Sequence, residues 1–170
     1  MEYTQLIRKR YSCRSFSQKP VEEEKIQTIV EAGIMAPTAK NEQPFRIFCM
    51  QSQKAKEAIR SVTKCHFGAD CFLVIGAVPQ AGFIREFDGR DYADVDASIA
   101  ATHMLLEIHN QGLATTWVGY FDAPKLQQLC PECQGLDLIA IFPVGYPADN
   151  AAPSPRHTER KSPDSLLIRL

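Results

Sequence analysis

Two continuous apolar runs, residues 72–78 and 138–144, constrain the fold of this chain most. Each has the length of a strand, and neither alternates polar with apolar residues. A strand without a polar face has to be covered on both sides. Both runs fall far short of the about 20 residues that a membrane helix needs.

Helix signals surround these runs. Residues 2–9 carry Leu6 and Ile7, with Arg8, Lys9 and Arg10 at the end, where cations suit the helix dipole. Pro20 and Glu22, Glu23 and Glu24 open a second helix. Its apolar face is Ile26, Ile29, Val30, Gly33 and Ile34, and Pro37 ends it. Residues 46–50 read as a strand and 53–62 as a polar helix. Residues 94–111 form a long helix that stops at Gly112. Apolar and small residues run nearly all round it (Val95, Ala97, Ile99, Met104, Leu105, Ile108), so it is central or shared with a partner subunit. Residues 115–121 read as a strand and 124–129 as a short helix.

The fold class is therefore α+β. Residues 1–145 form one domain. Residues 146–170 form an extended arm containing Pro147, Pro153, Pro155 and Pro163, and Ser162, Pro163 and Asp164 start a last helical turn. A chain of 170 residues buries roughly 70% of its unfolded surface, enough for a sizeable core.

Charge excludes some partners. Nineteen cations against twenty acids leave a net charge of -1. That gives no general attraction to nucleic acid or to an anionic membrane. The N-terminus has no apolar signal core, so the expected location is cytoplasmic. Six scattered cysteines fit buried thiols in a reducing compartment. Cys130 and Cys133 have the spacing of half a zinc site or of a redox pair. A second pair at compatible spacing is missing from the sequence, so the expectation is two turn cysteines and no metal.

Four segments carry chemistry. In the first, Arg10, Tyr11, Ser12, Cys13 and Arg14, two arginines flank a hydroxyl just past a helix end. A phosphate monoester calls for such fork-shaped cations with a hydroxyl beside them. The second, Pro37, Thr38, Ala39, Lys40, Asn41, Glu42, Gln43 and Pro44, joins a helix to a strand. Two prolines stiffen it, and it can present amide groups to a flat heteroaromatic edge. The third runs from Thr115 through Trp117, Gly119 and Tyr120 to Asp122. A glycine inside a strand pattern marks a bulge or the close approach of a ligand. The fourth is the tail cluster of Arg156, His157, Arg160 and Lys161. No Gly-rich dinucleotide or P-loop motif occurs, and no GxSxG elbow.

In this order the segments resemble the FMN-dependent nitroreductase family, in its short form. An Arg-x-Ser-x-Arg start (Arg10, Ser12, Arg14) precedes Ala-Pro-Thr-Ala-x-Asn-x-Gln-Pro (residues 36–44). A Trp-Val-Gly-Tyr-Phe-Asp segment (117–122) follows late, and Val-Gly-Tyr-Pro-Ala (144–148) comes before the basic tail. The stretch from Asp88 to Ser98 is also similar, and the likeness spans essentially the whole chain.

The resemblance implies a three-layer fold, a central mixed but mostly antiparallel sheet flanked by helices, in a homodimer with FMN at the subunit interface. It implies that Arg10 and Ser12 contact the FMN phosphate and ribityl chain, and that Arg14 lies near the pyrimidine edge. Thr38, Ala39, Lys40, Asn41 and Gln43 match a loop that reaches the flavin from the other subunit. Gly119 and Tyr120 match a segment whose backbone faces the ring, and Arg160 and Lys161 a basic pair on the phosphate. Tyr11 and Pro37 complete the cofactor-binding set.

The flavin carries the chemistry, so no catalytic side chain is assigned. NADH or NADPH is the implied donor, and a nitroaromatic, a quinone or another flat acceptor takes the electrons in a ping-pong scheme. Lys40 stands where the family often has a small residue, and Phe45 replaces a frequent tryptophan. The alternatives are a flavin-binding carrier or sensor with little turnover, and a zinc-binding module built on Cys130 and Cys133.

Overall fold

The computed structural model describes residues 2–170. Helix α1 (Tyr3–Lys9) and helix α2 (Glu23–Ile34) come first, then strand β1 (Phe45–Met50), helix α3 (Gln53–Val62) and strand β2 (Cys71–Ala77). A short hairpin, β3 (Ile84–Arg85) and β4 (Arg90–Asp91), leads into helix α4 (Ala93–Asn110). Helix α5 (Ala123–Leu129) and strand β5 (Asp137–Val144) follow, and two single 3-10 turns lie beyond them, at Pro155–Thr158 and Pro163–Ser165.

β1, β2 and β5 form an antiparallel sheet in the order β1-β2-β5. Every residue of β2 is buried, as an all-apolar central strand requires. Its alternation divides the core. Cys71, Leu73, Ile75 and Ala77 pack with α2 and α4 through Ile29, Ala97, Ala101 and Met104. Phe72 and Val74 point the other way, onto Ile59 and Val62 of α3 and Leu126 of α5. Helices thus cover both faces. Fully buried side chains such as Phe72 and Phe142 each contribute about 1.5–3 kcal/mol.

The strand expected over residues 115–121 is absent. Val118 and Ile141 exchange both backbone bonds at 3.0 Å, and Ala114 and Gly145 do so at 2.7 and 3.3 Å. In that register Thr116 faces Pro143, which has no N–H to donate. The ladder breaks there, leaving isolated bridges beside β5. The parallel component expected of the sheet is likewise one bridge, Ser12 with Thr115.

Helix ends follow their local chemistry. Ser52 caps α3 by accepting from the Ala55 N–H at 3.2 Å. Asp122 caps α5 by accepting from Lys125 N–H at 3.0 Å, with Pro124 in the first turn. Gly112, at φ +73, supplies the left-handed residue that ends α4. Among the described residues no helix is long and apolar enough to cross a membrane.

Candidate flavin site

Residues 15–17 meet residues 146–150. Ser17 N–H donates to the Tyr146 carbonyl at 2.9 Å, and Ala148 N–H to the Ser15 carbonyl at 3.1 Å. Ser15 Oγ donates to Asn150 Oδ1 at 2.9 Å. Tyr146 is itself fixed: its hydroxyl donates to the Glu22 carboxylate at 2.8 Å and accepts from Lys25 Nζ at 2.9 Å. This seam carries the tail back over the segment after α1.

The result is a depression of about 340 Å³ lined by Arg10, Tyr11, Ser12, Arg14, Ser154, Arg156, His157 and Arg160. Four guanidinium groups share it. Arg156 pairs with Glu159 at 3.2 Å. Among the described residues Arg10, Arg14 and Arg160 form no ion pair. Burial, and then the charge of Arg160, lower the Arg10 pKa from its ordinary value. Four like charges gathered with a single acid, Glu159, form a site that an anion would relieve. Lys161 stands next to it, with Arg156, Glu159 and Arg160 around a second surface hollow. Tyr11 packs edge-on to His157 with ring centroids 6.4 Å apart. Ser154, which caps the Pro155 turn, is the lining residue that motif reading missed. A serine before a proline in the tail is its only sequence signal.

The loop of residues 37–43 has unusual backbone. Lys40, Asn41 and Gln43 have φ values of 53, 59 and 51°. Three non-glycine residues in the left-handed region carry a backbone cost that the loop's contacts have to offset. Thr38 stabilises it by accepting from the Gln43 N–H at 3.2 Å, and Gln43 Nε2 donates to the Asn41 carbonyl at 3.1 Å. Lys40, Asn41 and Gln43 are exposed, as is Pro37. Lys40 Nζ sits 4.7 Å from the centre of the Phe83 ring. Asp96, which motif reading did not single out, binds the loop from α4: its Oδ1 accepts from the Ala39 N–H at 3.1 Å. An acid on the otherwise apolar buried face of α4 is its sequence signal.

Gly119 and Tyr120 are both exposed, and a Cβ built at Gly119 would meet open space. The Tyr120 carbonyl accepts from Thr63 Oγ1 at 2.7 Å. The segment containing them reaches the basic depression through its start, where Cys13 N–H donates to the Thr115 carbonyl at 2.9 Å. The structure therefore gathers Arg10, Tyr11, Ser12, Arg14 and Arg160 into one site. It does not bring the 37–43 loop to them; that loop lies against Asp96 and Phe83.

Cys130 precedes the 3-10 turn Pro131–Cys133, and Cys133 is its last residue. Burial raises both thiols above their usual range, Cys133 to about 11. Such thiols stay protonated near neutral pH and are poor nucleophiles. Among the described residues no group of three or more His, Cys, Asp or Glu side chains could hold a metal.

Comparison with known proteins shows the family and the fold. The model of the nitroreductase family matches residues 7–68 and 64–146. A Streptococcus pyogenes relative, named as an NAD(P)H nitroreductase, is 34% identical and covers 92% of this chain and 95% of its own. A Staphylococcus aureus protein, named as an NADPH-dependent oxidoreductase, is 36% identical over 89% of this chain and 68% of its own. The crystal structure of a family protein from Clostridium difficile superposes with a TM-score of 0.91 at 28% identity, covering 99% of this chain and 98% of that one. A structure from Desulfovibrio desulfuricans solved in complex with FMN gives 0.81 at 26% identity, covering 100% and 97%.

Proposed function

The chain belongs to the nitroreductase family of NAD(P)H oxidoreductases, and from that premise we propose that it binds FMN. The observation that carries the proposal is that Arg14 lines the same depression in which Arg10 and Arg160, neither with an acid partner among the described residues, stand with Ser12. This is the donor set that a phosphate monoester requires. Bound there, the cofactor would take a hydride from NADH or NADPH and pass electrons to a nitroaromatic, a quinone or a similar flat acceptor in ping-pong order.

The protein's part is to bind and orient. Arg10, Ser12, Arg160 and Lys161 hold the phosphate end and the ribityl chain. Arg14 places a positive charge by the pyrimidine edge and favours the reduced, anionic ring. Gly119 and Tyr120 offer bare backbone to the ring face. Tyr11, Pro37, Thr38, Ala39, Lys40, Asn41 and Gln43 complete the set, the 37–43 loop acting on the flavin of the other subunit.

A homodimer is part of this reading. A groove lined by Tyr3, Leu6, Ala32, Ile99 and Leu106 joins α1, α2 and α4, and Met35 stands exposed at the end of α2. A second copy covers that apolar surface, and residues 146–170 serve as an arm that completes site and dimer around a single domain of residues 1–145. All six thiols are free, which suits the cytoplasm. Titrating the apoprotein with FMN while following flavin fluorescence tests the proposal. Saturable quenching with one FMN per chain supports it, and no binding refutes it. Sedimentation tests the dimer: a monomer at micromolar concentration rules out the shared site.

A further inference from the structure

We infer that Asp96 is the positioning residue that holds the 37–43 loop in its left-handed conformation. The inference rests on the reading that this loop serves the flavin site. Asp96 lies in the first turn of α4 and is only 2% exposed. One oxygen accepts from the Ala39 N–H at 3.1 Å, while the other is buried with no hydrogen-bond partner. A buried carboxylate with an unmatched oxygen is expensive. Ala58, Val62 and the other buried helix residues of this protein are apolar, so Asp96 stands apart from them.

The contact falls where the loop needs it. Ala39 immediately precedes Lys40 and Asn41, at φ 53 and 59°. The bonds inside the loop, from Asn41 N–H to the Thr38 carbonyl and from Glu42 N–H to the Ala39 carbonyl, tie it only to itself. Asp96 ties it to a helix whose other residues pack under β2 and β5. A rigid anchor lets a strained loop persist and keeps the exposed amides of Asn41 and Gln43 in fixed directions.

Asp96→Ala removes the acceptor. Asp96→Asn keeps an oxygen for Ala39 and discards the charge. The test is amide hydrogen exchange of the full-length apoprotein, followed residue by residue, together with FMN titration of each variant. Asp96→Ala should speed exchange across residues 39–43 at least tenfold and weaken FMN binding about tenfold. Asp96→Asn should stay within threefold of the starting protein on both measures. Unchanged exchange in Asp96→Ala overturns the inference. So does a loosened loop with unchanged FMN affinity. If Asp96→Ala fails to fold, Ala39→Pro deletes the same hydrogen bond from the loop's side, at a turn position that accepts proline, and is read on residues 40–43 by the same criteria. If the starting protein takes up no FMN, the functional reading falls, and the exchange data alone decide whether Asp96 fixes the loop.

Discussion

Ser12 and Thr115 lie side by side as a parallel β-bridge, with the Cys13 N–H donating to the Thr115 carbonyl at 2.9 Å. This contact binds the basic segment after α1 to the segment that ends in Gly119 and Tyr120. It also fixes the backbone from which the Ser12 hydroxyl reaches the depression. Ser12→Ala should weaken FMN binding about tenfold, the cost of one hydrogen bond to a charged group at roughly 1.5 kcal/mol. Fluorescence titration measures it, and an unchanged affinity takes Ser12 out of the site.

Arg14 is exposed, and its Nη1 donates to the Ser12 carbonyl at 3.2 Å. Arg14→Ala should weaken FMN retention and lower the potential of the bound flavin, because a positive charge no longer favours the reduced ring. Potentiometric titration of the reconstituted variant checks both. Equal affinity and equal potential would remove Arg14 from the account.

His109 supplies a pH readout of the same cluster. Burial, then the charges of Arg10 and Lys9, lower its imidazole pKa from the ordinary value of 6.5. A depressed histidine pKa means that the unfolded chain takes up the proton first. Stability is therefore present above about pH 6.5 and declines as pH falls through that value towards the folded pKa. A phosphate seated near Arg10 would cancel part of the field and raise the His109 pKa towards normal. NMR titration with and without FMN should show that upward movement, and His109→Gln should flatten the acid limb of the stability curve. A His109 pKa that ignores FMN would argue that the anion binds elsewhere.

Gly33 tests the packing of α2 on α4. A Cβ there would lie 2.8 Å from Met104 Cγ and 3.1 Å from its Sδ, and Met104 is wholly buried. Gly33→Ala should cost about 1–3 kcal/mol through overpacking between α2 and α4. Thermal unfolding measures it. A variant as stable as the parent would mean that Met104 swings away freely.

Much of this was legible in the sequence, for reasons that vary by element. The runs at 72–78 and 138–144 announced β2 and β5 because burial on both faces leaves no polar residue to blur the pattern. The long helix was legible to within one residue at each end: residues 94–111 were expected, and Ala93–Asn110 is observed. The strand expected at 115–121 failed because its partner carries Pro143, and pairing across a sheet cannot be read from one segment alone. The hairpin of β3 and β4 was missed, since two-residue strands leave no periodicity. Charge and motif pick out Arg10, Ser12, Arg14 and Arg160, which line one depression in the structure. That the tail folds back on them depends on the Ser15 and Ser17 seam, which no local pattern encodes. Asp96 was overlooked as an anchor because its partner is a backbone N–H, which any residue at position 39 but proline would offer.

The most direct test of the central claim is an anaerobic absorption spectrum of the purified protein with FMN, before and after NADH or NADPH. The account predicts bound-flavin bands that bleach with at least one donor and return when a quinone is added. Bands that persist with both donors would contradict the enzyme, and a protein that remains colourless in the presence of FMN would contradict the site itself.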